Sequence, residues 1–113
     1  MHEYGITESV VTAVTERMPG VPIACIRLEI GSLSGVSADS VRFYFGPATE
    51  GTSLEGARLE ISEVAARCRC SSCGQEFEPD GPIPLCPCGS PDAAILSGGD
   101  MRILAVEKAQ ASG

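Results

Sequence analysis

Residues 70–89 read CSSCGQEFEPDGPIPLCPCG, and the two cysteine pairs in this stretch decide how it folds. Each pair, Cys70 with Cys73 and Cys86 with Cys88, is followed at once by a glycine. Such a pair forms a knuckle, in which the thiolates converge, backbone amides donate to sulfur and the glycine adopts the tight turn. Two knuckles supply four sulfur ligands in a tetrahedron, the arrangement that Zn²⁺ prefers. The stretch therefore predicts a four-thiolate zinc site.

The predicted zinc ion has a structural role. The segment between the knuckles contains Pro79-Asp80-Gly81-Pro82, which is turn chemistry that brings the two pairs together. Because four protein thiolates close the ligand shell, no position is left for a water molecule or a substrate. We therefore expect the metal to hold the local fold together and to take no part in catalysis.

Clustered cysteines also allow other interpretations. They could be free buried thiols or a redox dithiol, but paired knuckles that end in glycine are more specific for a metal. Iron is a further alternative, because rubredoxin-like electron carriers use similar knuckles. Such carriers are usually smaller and richer in aromatic residues than this chain, whose aromatic content is 4%. Zinc is therefore the preferred ion.

Two irregularities affect the ligand assignment. The second pair is C-x-C, one residue shorter than the usual C-x-x-C, so its geometry must be tighter. Cys68 is a spare thiol that could replace a ligand, but Cys70 has the C-x-x-C-G spacing and Cys68 is expected to be idle. Cys25 lies in a predicted strand, where its expected role is to fill the core.

The charge of the chain argues against general nucleic-acid binding. The 113 residues carry a formal net charge of −7, from 15 acidic and 8 basic side chains, and such a surface repels phosphate backbones. The alternative function considered is a zinc-ribbon module for protein or nucleic-acid interaction. Such modules usually carry a basic stripe, whereas only Arg67 and Arg69 lie near the knuckles.

The sequence predicts a cytoplasmic protein. No segment reaches the roughly 20 apolar residues of a membrane span. The N-terminus, Met1-His2-Glu3-Tyr4, lacks the basic start and apolar run of a signal peptide. Thiols stay reduced in the cytoplasm, so six cysteines indicate metal binding rather than disulfides.

Two amphipathic helices are expected. In residues 6–18, Ile6, Val10, Val14 and Met18 recur at intervals of four and share one face, which predicts packing against a core. Pro19-Gly20 ends this helix.

The second helix is expected to begin at a cap formed by Ser37 or Asp39 and to run through Val41 and Phe45. Gly46-Pro47 is expected to kink or end it.

Three strands complete the predicted fold. Residues 23–31 and 57–64 alternate apolar and charged side chains, so each buries one face. A last strand, Met101 to Glu107, has apolar residues on both sides and is expected to be well covered. The fold predicted is α+β, with two helices packed on a small mixed three-stranded sheet. The cysteine-rich module, about residues 68–90, is expected to be a zinc-ribbon-like insertion with short hairpins between two of its strands.

The single histidine, His2, has a weak and a specific interpretation. By spacing alone it is an exposed terminal residue, because a lone histidine is weak evidence for a site. However, the α-amine of Met1, the backbone nitrogen of His2 and its imidazole can close fused chelate rings around one ion. Such nitrogen donors suit Ni(II) or Cu(II), and Glu3 could add a carboxylate.

Taken together, these features resemble the HypA/HybF family of nickel metallochaperones, which act in the maturation of [NiFe] hydrogenase. The resemblance is carried by Met1-His2-Glu3-Tyr4 followed by a helix, the strand ending at Ile30-Gly31, the paired knuckles and the closing strand that begins Met101-Arg102-Ile103. It covers nearly the whole chain. The C-x-C form of the second knuckle is a departure that bears on the zinc geometry.

The resemblance implies two domains that bind different metals. It implies a nickel-binding α/β domain formed by residues 1–66 and 97–113, and a zinc-binding domain at 67–96. Transient Ni²⁺ would bind His2, with Glu3 as a helper. Structural Zn²⁺ would be held by the four knuckle cysteines, Cys70, Cys73, Cys86 and Cys88.

The resemblance also implies partners and a purpose. The expected partners are a nickel-handling GTPase and the [NiFe] hydrogenase large subunit, with urease a further recipient in some organisms. An enzyme is not expected, because the sequence offers no Ser/His/Asp set, no phosphate loop and no open metal site with a base.

Overall fold

The computed structural model describes residues 2–110, with His2 described by its backbone only. Its elements, in chain order, are α1 (His2–Arg17), β1 (Ile23–Gly31), α2 (Ala38–Thr49), β2 (Arg58–Val64), β3 (Arg67–Cys70), β4 (Glu76–Phe77), β5 (Ala93–Ser97) and β6 (Met101–Lys108). The strands form two three-stranded sheets, in the orders β2-β1-β6 and β4-β3-β5. The predicted α+β class is therefore confirmed.

Along the chain, the fold divides into two compact units. The first comprises Met1–Leu28, Ser37–Ser62 and Ile103–Gly113, and the second comprises Glu29–Val36 and Glu63–Arg102. We call them the helical unit and the cysteine unit. Among the described residues, no helix is long and apolar enough to cross a membrane.

The first sheet is mixed, as expected. The Ile23 amide donates to the Ser53 carbonyl and the Ser32 amide to the Val64 carbonyl, so residue numbers rise together along β1 and β2 and these strands are parallel. The Gly31 amide donates to Asp100 and the Ala109 amide to Pro22, so β6 runs antiparallel to β1. Helix α2 forms the crossover between the parallel pair.

Apolar periodicity explains the core of the helical unit. Val10 and Val14 on α1 are buried, as are Ile26 and Leu28 on β1, each at 3% exposure or less. The predicted strand 23–31 matches β1, and its charged residues Arg27 and Glu29 are only partly buried. Burial of these aliphatic side chains supplies the main favourable free energy of folding for the unit.

The observed ends of both helices differ in part from the predicted ones. Helix α1 begins at His2, earlier than the predicted residue 6. Ser37 caps α2, because its hydroxyl accepts a hydrogen bond from the Ser40 amide at 3.3 Å. Gly46-Pro47 was expected to kink or end α2, and the helix does not end there. The helix continues past Pro47 to Thr49, whose hydroxyl bonds back to the Phe45 carbonyl at 2.9 Å.

The strands show two further differences from the sequence analysis. Strand β5 was not predicted; in it Ala93–Ser97 pairs antiparallel with β3. The expectation that the last strand is well covered is wrong, because Ile103 is 39% and Leu104 47% exposed. The reason is position, since β6 is an edge of its sheet and has only β1 as a strand neighbour among the described residues.

Candidate metal centre

The first knuckle begins where β3 ends. The amides of Ser72 and Cys73 both donate to the Cys70 sulfur at 3.4 Å. The Gly74 amide donates to the Cys70 carbonyl at 2.9 Å, and Gly74 has φ +77°, a left-handed conformation that favours glycine. The turn therefore directs two amide dipoles at one sulfur, which stabilises that sulfur as a thiolate.

The second knuckle makes the same kind of contact in a shorter turn. The Cys88 amide donates to the Cys86 sulfur at 3.4 Å, and the Gly89 amide donates to the Cys86 carbonyl at 2.8 Å. Gly89 adopts φ +97°. One amide reaches the sulfur of Cys86, whereas two reach that of Cys70, so the C-x-C form provides fewer sulfur hydrogen bonds.

The four sulfurs converge. Sγ of Cys70 lies 3.7 Å from Sγ of Cys88, and Sγ of Cys73 lies 3.7 Å from Sγ of Cys86. All four ligand atoms lie within 4.8 Å of one another. A regular tetrahedron with metal–sulfur bonds of about 2.3 Å has edges of about 3.8 Å. The predicted residues therefore form a group of the size and donor type that a tetrahedral zinc ion requires.

The group lies half inside a small apolar core. Cys70 and Cys86 are buried at 1% and 2% exposure, while Cys73 and Cys88 are exposed. The buried sulfurs pack with Cys68 and Phe77, and Leu33 and Ala93 lie against this cluster. Cys68 is fully buried but is not one of the four convergent residues, as expected for an idle thiol. Cys25 is likewise buried, in β1, the core position predicted for it.

The protonation of the thiols is uneven. Amide donation from Cys73 is the largest influence on Cys70, and with the Ser72 amide it lowers the pKa of Cys70 from 9.0 to about 6. The Cys88 amide acts to lower the pKa of Cys86, but burial and hydrogen bonds with the neighbouring thiols outweigh it and raise that pKa to about 12. Without a cation, Cys70 is therefore readily ionised, whereas Cys86 resists ionisation.

Contacts between the knuckles lay outside the sequence analysis. The hydroxyls of Ser72 and Ser90 lie 2.9 Å apart and join the two turns directly. The Ser71 amide donates to the Asp92 carbonyl at 2.8 Å, which brings the start of β5 to the first knuckle. The signal available in the sequence was a serine inside the first cysteine pair, Ser72, and another two residues after the second pair, Ser90.

The predicted nickel ligand lies at the start of α1. Met1 and the side chain of His2 lie outside the described residues, so the proposed chelate stays a prediction. The helix begins at His2, and backbone amides in a first turn have no carbonyl acceptor within their own helix. Tyr4 packs edge-on against Tyr44 of α2, with ring centroids 5.3 Å apart, which fixes the first turn of α1 within the helical unit.

Comparison with known proteins decides the family. The family model described as hydrogenase/urease nickel incorporation, metallochaperone, hypA matches residues 1–108. The chain belongs to the HypA family.

Three curated relatives named hydrogenase maturation factor HypA support this assignment. The chain is 43% identical to the one from Nostoc punctiforme and 44% identical to the one from Rippkaea orientalis, each over 95% of both chains. It is 43% identical to the one from Geobacter metallireducens, over 95% of this chain and 98% of the relative. The resemblance inferred from the N-terminus, the knuckles and the last strand is therefore confirmed.

Solved structures agree with the fold. A solution structure of the Ni metallochaperone HypA from Helicobacter pylori matches with a TM-score of 0.64 and 21% identity, over 94% of this chain and 96% of that one. A second solution structure, of a HypA protein, matches with a TM-score of 0.66 and 23% identity, over 96% and 97% of the two chains. At these identities the likeness establishes the shared fold.

Proposed function

We propose that this chain binds Ni²⁺ at its N-terminus through His2, with Glu3 as a helper, and delivers the ion for maturation of [NiFe] hydrogenase. The observation that carries the proposal is the family match over residues 1–108, which includes both the N-terminal motif and the cysteine cluster. The description of that family gives nickel incorporation into hydrogenase or urease as its role. Urease is therefore a second possible recipient.

The start of α1 provides a physical reason for transient binding. The amine of Met1 and the nitrogens of His2 can chelate one ion in a plane, which suits Ni²⁺. The positive end of the helix dipole acts against a cation there, while the carboxylate of Glu3, in the first turn, acts in favour of it. Opposed contributions of this kind give an affinity low enough for the ion to pass to a recipient.

We also propose that the four-cysteine group holds zinc in a structural role. Its support is the pair of 3.7 Å sulfur distances and the donor set of four thiols in two knuckles. In this proposal, nickel belongs to the domain of residues 1–66 and 97–113, and zinc belongs to residues 67–96. Purified protein tests zinc against iron by colour, because a ferric tetrathiolate is red and the zinc form is colourless.

The proposal extends to partners and location. We expect the chain to act in the cytoplasm as a carrier and not as an enzyme. We expect it to receive or transfer nickel together with a nickel-handling GTPase and to supply the hydrogenase large subunit. Binding to nucleic acid is not expected, since the formal net charge is −7.

A nickel titration tests the binding step. His2→Gln removes the imidazole and keeps a bulky residue at position 2, so that Met1 is expected to be retained, which mass spectrometry checks. The apparent Kd for nickel should rise at least about tenfold, which corresponds to about 1.4 kcal/mol. Glu3→Gln should have a smaller effect, and Glu8→Gln, an exposed position further along α1, should have none. An unchanged titration for His2→Gln would refute nickel binding at this residue.

Complementation tests the delivery step. A host strain lacking this gene should lose hydrogenase activity, regain it with the wild-type gene and fail to regain it with His2→Gln. Added nickel should partly restore activity in the variant strain, because it bypasses a carrier. If His2→Gln complements fully at limiting nickel, delivery through this residue is wrong.

A further inference from the structure

An apolar cleft in the helical unit shares no lining residue with either proposed metal site. It has a volume of about 550 Å³ and is lined by residues from the second half of α1 and the turn after it together with β6: Ala13, Val14, Arg17, Met18, Ile103 and Val106. Arg17 is the only charged residue in this lining. Ile103 is 39% exposed, so apolar surface at the cleft remains accessible.

The guanidinium of Arg17 has no ionic partner within the described part of the chain. Five other arginines do pair with carboxylates, and these are Arg27, Arg42, Arg58, Arg69 and Arg102. The position of Arg17 in the last turn of α1 suits the helix dipole, but it leaves side-chain donors free for an anion. An unpaired arginine beside an apolar cleft is notable in a chain with 15 acidic side chains.

The strand that borders the cleft is open to pairing. Strand β6 is the edge of its sheet, with only β1 beside it in the described structure. It ends at Lys108, which, like Arg17, has no carboxylate partner among residues 2–110. An edge strand exposes backbone donors and acceptors, and an extended peptide can add to it as a further strand.

We infer that this cleft and the outer edge of β6 form a docking site for an extended segment of a partner protein that carries apolar side chains and a carboxylate. The apolar side chains enter the cleft, the backbone pairs with β6, and the carboxylate pairs with Arg17. The site is independent of the nickel-binding proposal, because none of its lining residues is a proposed metal ligand.

A second copy of the chain is a poorer occupant. A twofold interface places the same patch against itself. The lining then brings two Arg17 guanidinium groups together and supplies no carboxylate, since the acidic residues nearby on α1, Glu8 and Glu16, line a different depression. Charge therefore favours a partner of different sequence.

Selection from a displayed heptapeptide library tests the inference, with the zinc-loaded full chain as bait. Peptides that combine apolar residues with Asp or Glu should be enriched. The most enriched synthetic peptide should shift amide signals of residues 13–18 and 103–108 in an NMR titration. Arg17→Gln should weaken its binding about tenfold. The matched control is Arg67→Gln, because Arg67 is also exposed and unpaired in the described structure but lies in the cysteine unit.

Several outcomes would overturn the inference. These are no enrichment, enriched peptides without a carboxylate, equal binding to Arg17→Gln and wild type, or amide shifts confined to the cysteine unit. Sedimentation that shows the wild type as a dimer, broken by Ile103→Glu, would assign the cleft to a second copy instead. Nickel titration of Arg17→Gln should match wild type, so failure of the docking site and failure of the nickel proposal are distinguishable.

Discussion

The four-cysteine group and the N-terminal motif differ in how much of the fold positions them. The sulfurs of the cysteine group accept three amide hydrogen bonds, and its two knuckles are joined by the Ser72–Ser90 contact. The N-terminal motif lies at the start of a helix, and its proposed nickel donors come from two consecutive residues. A site with two buried ligands, held by hydrogen bonds from the fold, should bind tightly and support folding, whereas a terminal chelate should exchange its ion. This contrast is the basis for assigning a structural metal to one and cargo to the other.

The largest effect is expected from removing a buried ligand. Cys70→Ser takes away the sulfur that accepts two amide hydrogen bonds, and the remaining thiols cannot hold zinc in a closed shell. Structural zinc in small sites contributes on the order of 10 kcal/mol to folding. The cysteine unit should therefore lose both its zinc and its dispersed NMR signals. Cys68→Ala is the matched control, as a buried cysteine on the same strand that should keep zinc. Loss of zinc in both variants would remove the distinction between ligand and idle thiol.

Damage to the helical core should leave the zinc group intact. Ile26 is fully buried in β1, and Ile26→Ala should lower the free energy of unfolding of its unit by about 2–5 kcal/mol. Chemical denaturation measures this change, and metal analysis should still find zinc. Leu104→Ala, at a side chain that is 47% exposed, should change stability by less than about 1 kcal/mol. Zinc loss in Ile26→Ala would show that the two units do not fold separately.

Proton release on zinc binding is the next effect. With a pKa of about 6, Cys70 is mostly ionised at pH 7, whereas Cys86, with a pKa of about 12, is protonated and must lose its proton. Zinc binding at pH 7 should therefore release fewer than four protons. Release should increase below pH 6, where Cys70 also holds a proton, so zinc affinity should fall more steeply there. Calorimetry in two buffers of different ionisation enthalpy measures the number. If the number of protons released stays constant or falls on acidification, the difference in pKa between Cys70 and Cys86 is wrong.

The smallest effect is expected at the ion pairs on the first sheet. Arg27 lies 2.9 Å from Glu60 and 2.8 Å from Glu107, all three at least 43% exposed. The Arg27 hydrogen bond lowers the pKa of Glu60 below 4.5, so this pair stabilises the fold at neutral pH, and that contribution is lost as pH falls through the lowered value. Glu60→Gln should slightly reduce the acid dependence of stability and leave neutral stability nearly unchanged. A large loss of stability at pH 7 would contradict a screened surface pair.

Much of the fold could be predicted because local patterns decide it. The alternation in residues 23–31 fixes β1, and the glycines after each cysteine pair indicate turns that converge sulfurs. Strand β5 escaped prediction because Ala93–Ser97 is short and does not alternate apolar and polar side chains. Its pairing with β3 depends on contacts between residues far apart in the chain. The exposure of β6 also depends on sheet order, which apolar content alone does not reveal.

Helix ends show the same limit. Pro47 predicts a break by its chemistry, yet α2 continues for one more half-turn, where the Thr49 hydroxyl bonds the Phe45 and Gly46 carbonyls. The proposed nickel ligand was the least determined by the sequence, because one histidine at a terminus has no pattern around it. Family resemblance, carried by the consecutive residues Met1-His2-Glu3, supplied the metal and the purpose.

Metal analysis of nickel-loaded protein after gel filtration and a brief chelator wash tests the central claim most directly. One zinc per chain should survive the wash in both wild type and His2→Gln. One nickel per chain should be present before the wash in wild type, removed by the chelator and absent from His2→Gln. Nickel that displaces zinc from the cysteine group, or that binds His2→Gln in the same amount, would contradict the account.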